Sequence, residues 1–438
     1  MRTTIVCLGL SLFLPLEGTA QDLTVPNRLT LQETLRLADA RSPQLAAARQ
    51  LAALARSDVT SAARRPNPSV TVEGEAYPLF ESPRPSFWDG QALTFRFDQE
   101  IETAGRRGLR MQAADTGVSV AHADIQESRR RLRVEVGRTY FQLVLAQADG
   151  ASATAALSEL ERVIGLTEVR FNAGEVAGTE LRRLQVERLR FLDDVLAAEL
   201  ATRDARAVLL GLLNAPDLNQ PIDAIDPLPP PPLIGADGTV IAGSDGVRLP
   251  LPALRELVLS DRPDVRRARL RRRQAETETR RQRALRTPNV TAGWGYRRHF
   301  GSNRMDFGVT VPVPLFGSLN PGGIERAEAE RRRAEALADA AATTANVDLQ
   351  KAINAVEISA ERIRYIEGEY LVTAEESLDI TQASYELGAA NLIDFLDAQR
   401  TYRETQRVRN RALYALRISL IELEAALGLP GDTRPEEL

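Results

Sequence analysis

YELGAANLIDFLDAQR, residues 385–400, decides the architecture of this chain. A helical run reaches Tyr385-Glu386-Leu387, Gly388 follows, and a second helical run starts within a few residues. Glycine tolerates the left-handed backbone that closes a helix, so the stretch reads as a tight tip between an outgoing and a returning helix. FNAGEVAGTELRRLQ, residues 171–185, has the same form, with Gly174 in the place of Gly388. Two such tips predict two helical hairpins.

The helices that lead into the tips are long. No proline interrupts Arg106 to Phe171 or Glu325 to Tyr385, so each stretch is expected to be one helix of about 60 to 65 residues, roughly 90 to 100 Å. Leu371, Ala374, Leu378, Thr381 and Tyr385 follow one another at spacings of 3 and 4, a heptad seam. Leu157, Leu160, Ile164, Thr167 and Phe171 repeat that spacing 214 positions earlier, and Leu413, Leu416, Leu420, Leu423 and Leu427 continue a seam on the returning helix. Coiled-coil helices of this length project well beyond a compact domain.

Before each long helix the periodicity changes to 2. Pro68 to Pro78, Ala92 to Glu102, Asn289 to Arg298 and Arg304 to Leu315 alternate apolar and polar residues, with Val70, Val72, Leu93, Phe95, Phe97, Val290, Ala292, Val309, Val311 and Val313 at every second position. About 10 residues is the length of a tilted transmembrane strand. Tyr77, Phe87, Trp88, Trp294, Tyr296, Phe300 and Phe307 cluster at or near the strand ends and suit interfacial aromatic girdles. Alternation alone also fits two soluble hairpins packed on helices. Helix length argues for the membrane reading.

The two halves are copies of one another. Leu31, Pro43, Ala48, Arg49, Pro68, Val70 and Thr71 recur 220 positions later as Leu251, Pro263, Ala268, Arg269, Pro288, Val290 and Thr291. Phe171, Gly174, Gln185 and Pro216 recur 214 positions later as Tyr385, Gly388, Gln399 and Pro430. The organisation is therefore a repeat over 21–216, a Pro/Gly/Asp-rich linker over 217–248 with little regular structure expected, a second repeat over 249–430, and a tail over 431–438. Each repeat reads as an opening helix (Leu31 to Arg65 in the first), two strands, a long helix, a tip and a returning helix.

Residues 1–20 read as an export signal, with Arg2, an apolar run from Ile5 to Leu16 and Gly18-Thr19-Ala20 as the cleavage site. That run is too short to span ~30 Å of bilayer. Cys7 is the only cysteine, lies inside the run and lacks a lipoprotein context, so the mature chain is expected to be unlipidated and free of disulfides. No later segment approaches the ~20 apolar residues of a membrane helix, which leaves strands for any membrane crossing. Aromatic residues are 5% of the 438, net charge is −4, and Lys351 is the only lysine. The arginine runs Arg129 to Arg133, Arg266 to Arg273 and Arg331 to Arg333 are interleaved with Glu and lack stacking aromatics, so they read as helix faces and not as a nucleic-acid surface. His122 and His299 are far apart without cysteine partners, so neither a metal site nor a cofactor is expected. No catalytic constellation is present in the sequence.

Four strands cannot close a barrel, and an open sheet edge in lipid leaves backbone groups unpaired at several kcal/mol each. Three chains give twelve strands and a water-filled lumen, whereas two give eight, a barrel filled by its own side chains. A homotrimer is therefore expected.

Tyr385-Glu386-Leu387-Gly388 followed by Leu392-Ile393-Asp394-Phe395-Leu396-Asp397-Ala398-Gln399-Arg400 resembles the tip motif of TolC-like outer membrane efflux proteins. The resemblance extends over nearly the whole mature chain, including Leu31-Gln32-Glu33-Thr34-Leu35, Ser42-Pro43 and a degenerate first tip at Phe171-Asn172-Ala173-Gly174-Glu175. It implies a fold of an all-α coiled-coil barrel joined to a transmembrane β-barrel: four strands per chain, a homotrimeric 12-stranded barrel in outer membrane lipid and a periplasmic α-helical tunnel. It also implies a passive exit duct for small solutes, docked to a periplasmic adaptor protein and an inner-membrane RND-type pump. Gln99 to Arg107 and Val311-Pro312-Val313-Pro314-Leu315-Phe316 are most similar to the cobalt-zinc-cadmium cation-efflux branch. A protein-secretion duct built on the same trimer is the alternative.

Asp394 and Asp397 sit i,i+3 on one helix face just past the tip, and threefold symmetry makes them stacked carboxylate rings that favour cations. The resemblance places them, with Tyr385, at the periplasmic aperture, and places the adaptor at the tips marked by Gly174 and Gly388. The competing reading pairs both aspartates with Arg400 or Arg403 on a solvated helix. The sequence departs from the family at Ala390, where some members carry a basic residue, and at Glu180 and Arg183, which stand opposite Asp394 and Asp397 in the first copy.

Overall fold

The computed structural model describes residues 25–75, 80, 92–228, 240–242, 247–249, 251–299, 302–313 and 320–428. The expected signal and tail, and Tyr77, Phe87, Trp88 and Phe300, lie outside the described residues.

Strand β1 (Arg28–Leu29) leads into α1 (Leu31–Arg41) and α2 (Pro43–Ala62). One helix to Arg65 is expected, but two form, because Pro43 disfavours a helical residue before it and Ser42 is extended (φ −60°, ψ 120°). A capping box between Thr30 and Glu33 starts α1, and the Ser42 hydroxyl accepts the Leu45 N–H at 3.3 Å to start α2. Strands β2 (Ser69–Glu75) and β3 (Ala92–Ile101) precede α3 (Arg106–Asn172), 67 residues long, and α4 (Gly178–Leu212) returns from its tip.

The described residues of the linker form more regular structure than its composition suggests. β4 (Asp223–Ala224) pairs in parallel with β1, and β5 (Val240–Ala242) pairs with β6 (Val247–Leu249). The Tyr140 hydroxyl donates to the Leu29 carbonyl at 2.8 Å and accepts the Asp226 N–H at 3.2 Å, while the Leu31 N–H donates to the Asp226 carboxylate at 2.6 Å. Polar linker residues thus satisfy backbone groups over a core of Tyr140, Phe141, Leu209, Leu210, Leu213 and Ile222.

The second copy comprises α5 (Leu251–Asp261), α6 (Pro263–Ala284), β7 (Val290–His299), β8 (Ser302–Thr310), α7 (Pro321–Tyr365), α8 (Leu371–Glu386) and α9 (Leu392–Leu427). Its long helix runs without a break in backbone helicity from Pro321 to Glu386, as the lack of proline suggests, but a π-helical turn at Ile366–Tyr370 interrupts the α-helical hydrogen bonding between α7 and α8. The buried seam steps from Ile366 to Ala374, 8 residues where a heptad gives 7. Arg409 of α9 holds Glu367 of that turn at 2.9 Å. The extra residue shifts the buried seam by one position and leaves no mark in composition.

Strand order is β2-β3-β7-β8, all antiparallel, with β2 and β8 at the edges. Register aligns Val70, Phe97, Trp294 and Phe307 in one cross-strand row, and Val72, Phe95, Tyr296 and Met305 in the next on the same face. Val70, Phe307 and Val309 are each at least 70% exposed. Thr71, Arg96, Gly295 and Asp306 form a row on the opposite, polar face, where Gly293 leaves room for the Asp98 carboxylate that pairs with Arg96 at 2.8 Å. Trp294 and Phe307 lie mid-strand, not at the strand ends: β7 extends from Val290 to His299 around Trp294, and β8 starts at Ser302, ahead of Phe307, and stops at Thr310, leaving Val311 and Val313 outside it. No helix among the described residues is long and apolar enough to cross a membrane.

Helix α3 packs on α4, α6 and α9, and α9 packs on α7 and α8. Two of the arginine runs bridge helices in part: Arg129 and Arg133 reach Asp39 of α1, and Arg267 and Arg271 reach Asp124 of α3, whereas Arg130 and Arg131 hold buried Glu127 along α3 and Arg331 and Arg333 pair with Glu335 and Glu330 along α7.

Candidate functional site

The two tips are built alike. At the first, Gly174 has φ 79°, its N–H donates to the Phe171 carbonyl at 2.9 Å, and the Glu175 N–H donates to the Arg170 carbonyl at 2.9 Å. At the second, Gly388 has φ 79°, its N–H donates to the Tyr385 carbonyl at 3.0 Å, and the Ala389 N–H donates to the Ser384 carbonyl at 2.7 Å. Both close with the 6→1 and 5→2 pair of bonds that needs a left-handed residue, which explains a glycine at each. Asn391 then starts α9, its side-chain oxygen accepting the Asp394 N–H at 2.9 Å. An acidic residue in the first turn suits the positive end of the helix.

Asp394 and Asp397 are both exposed. Among the described residues neither carboxylate forms an ion pair. Arg403 is committed elsewhere: it binds Asp194 at 2.7 Å, and its guanidinium lies 3.6 Å above the Phe191 ring. Arg407 reaches the same carboxylate at 2.5 Å. The pairing of the aspartates with Arg400 or Arg403 therefore does not occur in this chain. Asp397 lines an open groove of about 1460 Å³ between α4 and α9, together with Arg182, Arg183 and Arg400.

Tyr385 occupies a different position from the aspartates. It is 3% exposed and stacks on Phe395 with ring centroids 5.4 Å apart, and its hydroxyl is 3.3 Å from the Thr167 hydroxyl. Leu160, Val163, Leu184, Phe191 and Leu378 complete this four-helix cluster. Phe171, its counterpart in the first copy, is 42% exposed. Contact is made with Thr167 because the two hairpins are staggered along their axes, and no feature of either copy alone records that stagger.

The stagger also brings together residues that the sequence does not single out. Arg162 of α3 pairs with Glu159 at 2.8 Å and reaches across to Glu386 of α8. Gln382 donates to Glu159 at 2.5 Å and to Glu386 at 3.2 Å. Arg170 donates to the Tyr385 carbonyl at 3.2 Å. Hydrogen bonds from Arg162 hold the Glu159 carboxyl below its usual pKa, against a smaller opposing effect of burial. These contacts fasten the first hairpin to the second beside the tips. No group of three or more His, Cys, Asp or Glu able to hold a metal occurs among the described residues.

Residues 34–215 and 254–429 match the family model described as outer membrane efflux protein. The chain is 27% identical over 381 residues to the cobalt-zinc-cadmium resistance protein CzcC of Cupriavidus metallidurans, covering 85% of this chain and 84% of that protein. Its fold is similar to that of the outer membrane protein VceC of Vibrio cholerae, with a TM-score of 0.72, 20% identity and coverage of 91% and 96%. It is also similar to the open state of the MtrE outer membrane channel of Neisseria gonorrhoeae, with a TM-score of 0.73, 19% identity and coverage of 91% and 89%.

Proposed function

Because the chain belongs to the outer membrane efflux protein family, and so serves as an efflux channel of the outer membrane, we propose that three copies close one duct whose periplasmic mouth is controlled at the α8–α9 tip. The observation that carries this reading is the sheet, which has one exposed apolar face, one polar face and two edge strands, β2 and β8. Hydrocarbon satisfies the apolar face but cannot pair the edges, so β8 of one copy pairs with β2 of the next until twelve strands close. The polar face, with Arg96, Asp98 and Asp306, then lines the lumen.

In the closed duct Asp394 and Asp397 form carboxylate rings at the mouth. Tyr385 packs the tip from within and does not face the passage. The contacts of Arg162 with Glu386 and of Arg170 with the Tyr385 carbonyl hold the second hairpin inward. A periplasmic adaptor engages the tips around Gly174 and Gly388, breaks these contacts and admits cargo from an inner-membrane pump. Similarity to CzcC and the unpaired aspartates favour divalent metal cations as that cargo.

Native mass of the detergent-purified mature protein, followed by single-channel recording in planar bilayers, tests the duct. A trimer with cation-preferring pores is expected, and a water-soluble monomer without conductance would overturn it. Arg162→Ala is expected to raise both open probability and unitary conductance. Because Glu159 is held low, wild-type channels are expected to keep the latch above its ordinary pKa near 4.5 and to approach the variant only at lower pH.

A further inference from the structure

The strands and the helical body meet in three short segments, 61–69, 99–110 and 283–290. They hold seven arginines against two glutamates, a net charge of +5 on a chain whose total is −4. Four of the arginines are committed within the chain. Arg106 donates to the Ala284 carbonyl at 3.4 Å and to the Leu285 carbonyl at 3.2 Å, and Arg107 donates to the Ala63 carbonyl at 2.9 Å. Arg110 donates to the Ala62 carbonyl at 3.0 Å and pairs with Glu102 at 2.5 Å. Arg283 pairs with Glu328 of α7 at 2.7 Å. The α3 arginines thus cap the last carbonyls of α2 and α6, where the negative ends of those helices lie. Glu100 accepts the Asn289 amide at 2.6 Å, so both glutamates of the junction are engaged as well.

Arg64, Arg65 and Arg286 are left over. All three are exposed, and none of their guanidinium groups has a hydrogen bond or ion pair among the described residues. Their level relative to the sheet is fixed by the backbone around them. Arg65 precedes Pro66, whose carbonyl accepts the Gln99 amide at 3.0 Å, and Arg286 lies two residues before Pro288, whose carbonyl accepts the Thr103 hydroxyl at 2.8 Å. Between those two anchor points is Ile101, 50% exposed and on the same face of β3 as Phe95 and Phe97. The apolar face of the sheet therefore ends where the spare arginines begin. An apolar surface bordered by guanidinium groups has the profile of a bilayer boundary, with lipid phosphates at the depth of the charges. The helical body extends from this end of the sheet, so the phosphates are those of the periplasmic leaflet.

We propose that Arg64, Arg65 and Arg286 bind the phosphate groups of anionic phospholipids in the periplasmic leaflet and so set the depth of the sheet in the membrane. The proposal rests on the reading that the apolar sheet face lies in lipid. A guanidinium holds a phosphate through two parallel N–H···O bonds, which a lysine in its place could not form. The carbonyl bonds of Arg106, Arg107 and Arg110 hold the segments that carry the three arginines, so lipid meets a collar already fixed in place.

The test uses the full mature protein in nanodiscs of phosphatidylcholine and phosphatidylglycerol, with the lipids that stay on the oligomer counted by native mass. Wild type is expected to retain phosphatidylglycerol several-fold above its share of the bilayer. R64Q/R65Q/R286Q is expected to fall to that share. R266Q/R269Q/R273Q removes the same charge about 20 to 30 Å back along α6, from arginines that are also exposed and without an ion pair among the described residues, and is expected to match wild type. No enrichment in wild type, enrichment that survives in R64Q/R65Q/R286Q, or an equal loss in both triple variants would overturn the proposal. Inorganic phosphate that strips the retained lipid from wild type would also overturn it, by showing a site for the free ion. Planar-bilayer conductance separates the two readings: a conducting protein without enrichment fails the collar alone, and a protein that neither inserts nor conducts fails the membrane assignment of the sheet as well.

Discussion

Replacing Asp394 and Asp397 together with alanine is expected to leave the oligomer intact and to lower the preference of the pore for cations several-fold. Both side chains are exposed, and neither forms an ion pair among the described residues, so their removal breaks no ion pair there. A unit charge attracts a cation 4 Å away by about 1 kcal/mol even in bulk water, and a narrow mouth ringed by three copies of two carboxylates concentrates that attraction. The measurement is the reversal potential under a salt gradient, with native mass as the control for assembly. Unchanged reversal potentials would assign the aspartates to a solvated helix end. A variant that no longer assembles would show instead that the aspartates are structural.

Glu127→Gln is expected to produce the largest loss of stability, roughly 3 kcal/mol at pH 7, the scale for breaking one side of a buried ion pair. Glu127 is 2% exposed, and Arg130 and Arg131 bind its two oxygens at 2.6 to 2.9 Å. Burial alone would raise its pKa, but the two arginines outweigh it and hold the carboxyl below the ordinary 4.5. A carboxylate held low in the fold contributes its full stabilisation above the unfolded value and loses it as pH falls through the folded one. The gap between wild type and variant is therefore expected to be complete above pH 4.5 and to close below it. Denaturant midpoints of the detergent-solubilised protein across that range would falsify the assignment if the gap did not change with pH.

Features that depend on consecutive residues were legible. Gly174 and Gly388 take the left-handed conformation at both tips, α3 runs unbroken as its lack of proline implies, and the alternation of β2, β3, β7 and β8 sorts into an apolar and a polar face. The candidate acids were legible in part. Their spacing places Asp394 and Asp397 together on one exposed face, but whether Arg403 would neutralise them depends on Asp194 of another helix. Tyr385 and Phe171 occupy equivalent sequence positions but are 3% and 42% exposed, a contrast absent from their local context.

Local stereochemistry and periodicity, written in the order of residues, determined the two hairpins, their glycine tips, the four alternating strands and the pair of acids past Gly388. The tertiary structure alone decided the axial stagger that sets Tyr385 beside Thr167 and Arg162 beside Glu386, the π-helical turn at Ile366–Tyr370, and the burial of Glu127. Each of these arises where separate helices slide to fill one another's grooves, and that displacement minimises voids and unpaired charge over the whole packed set, so no single segment encodes it.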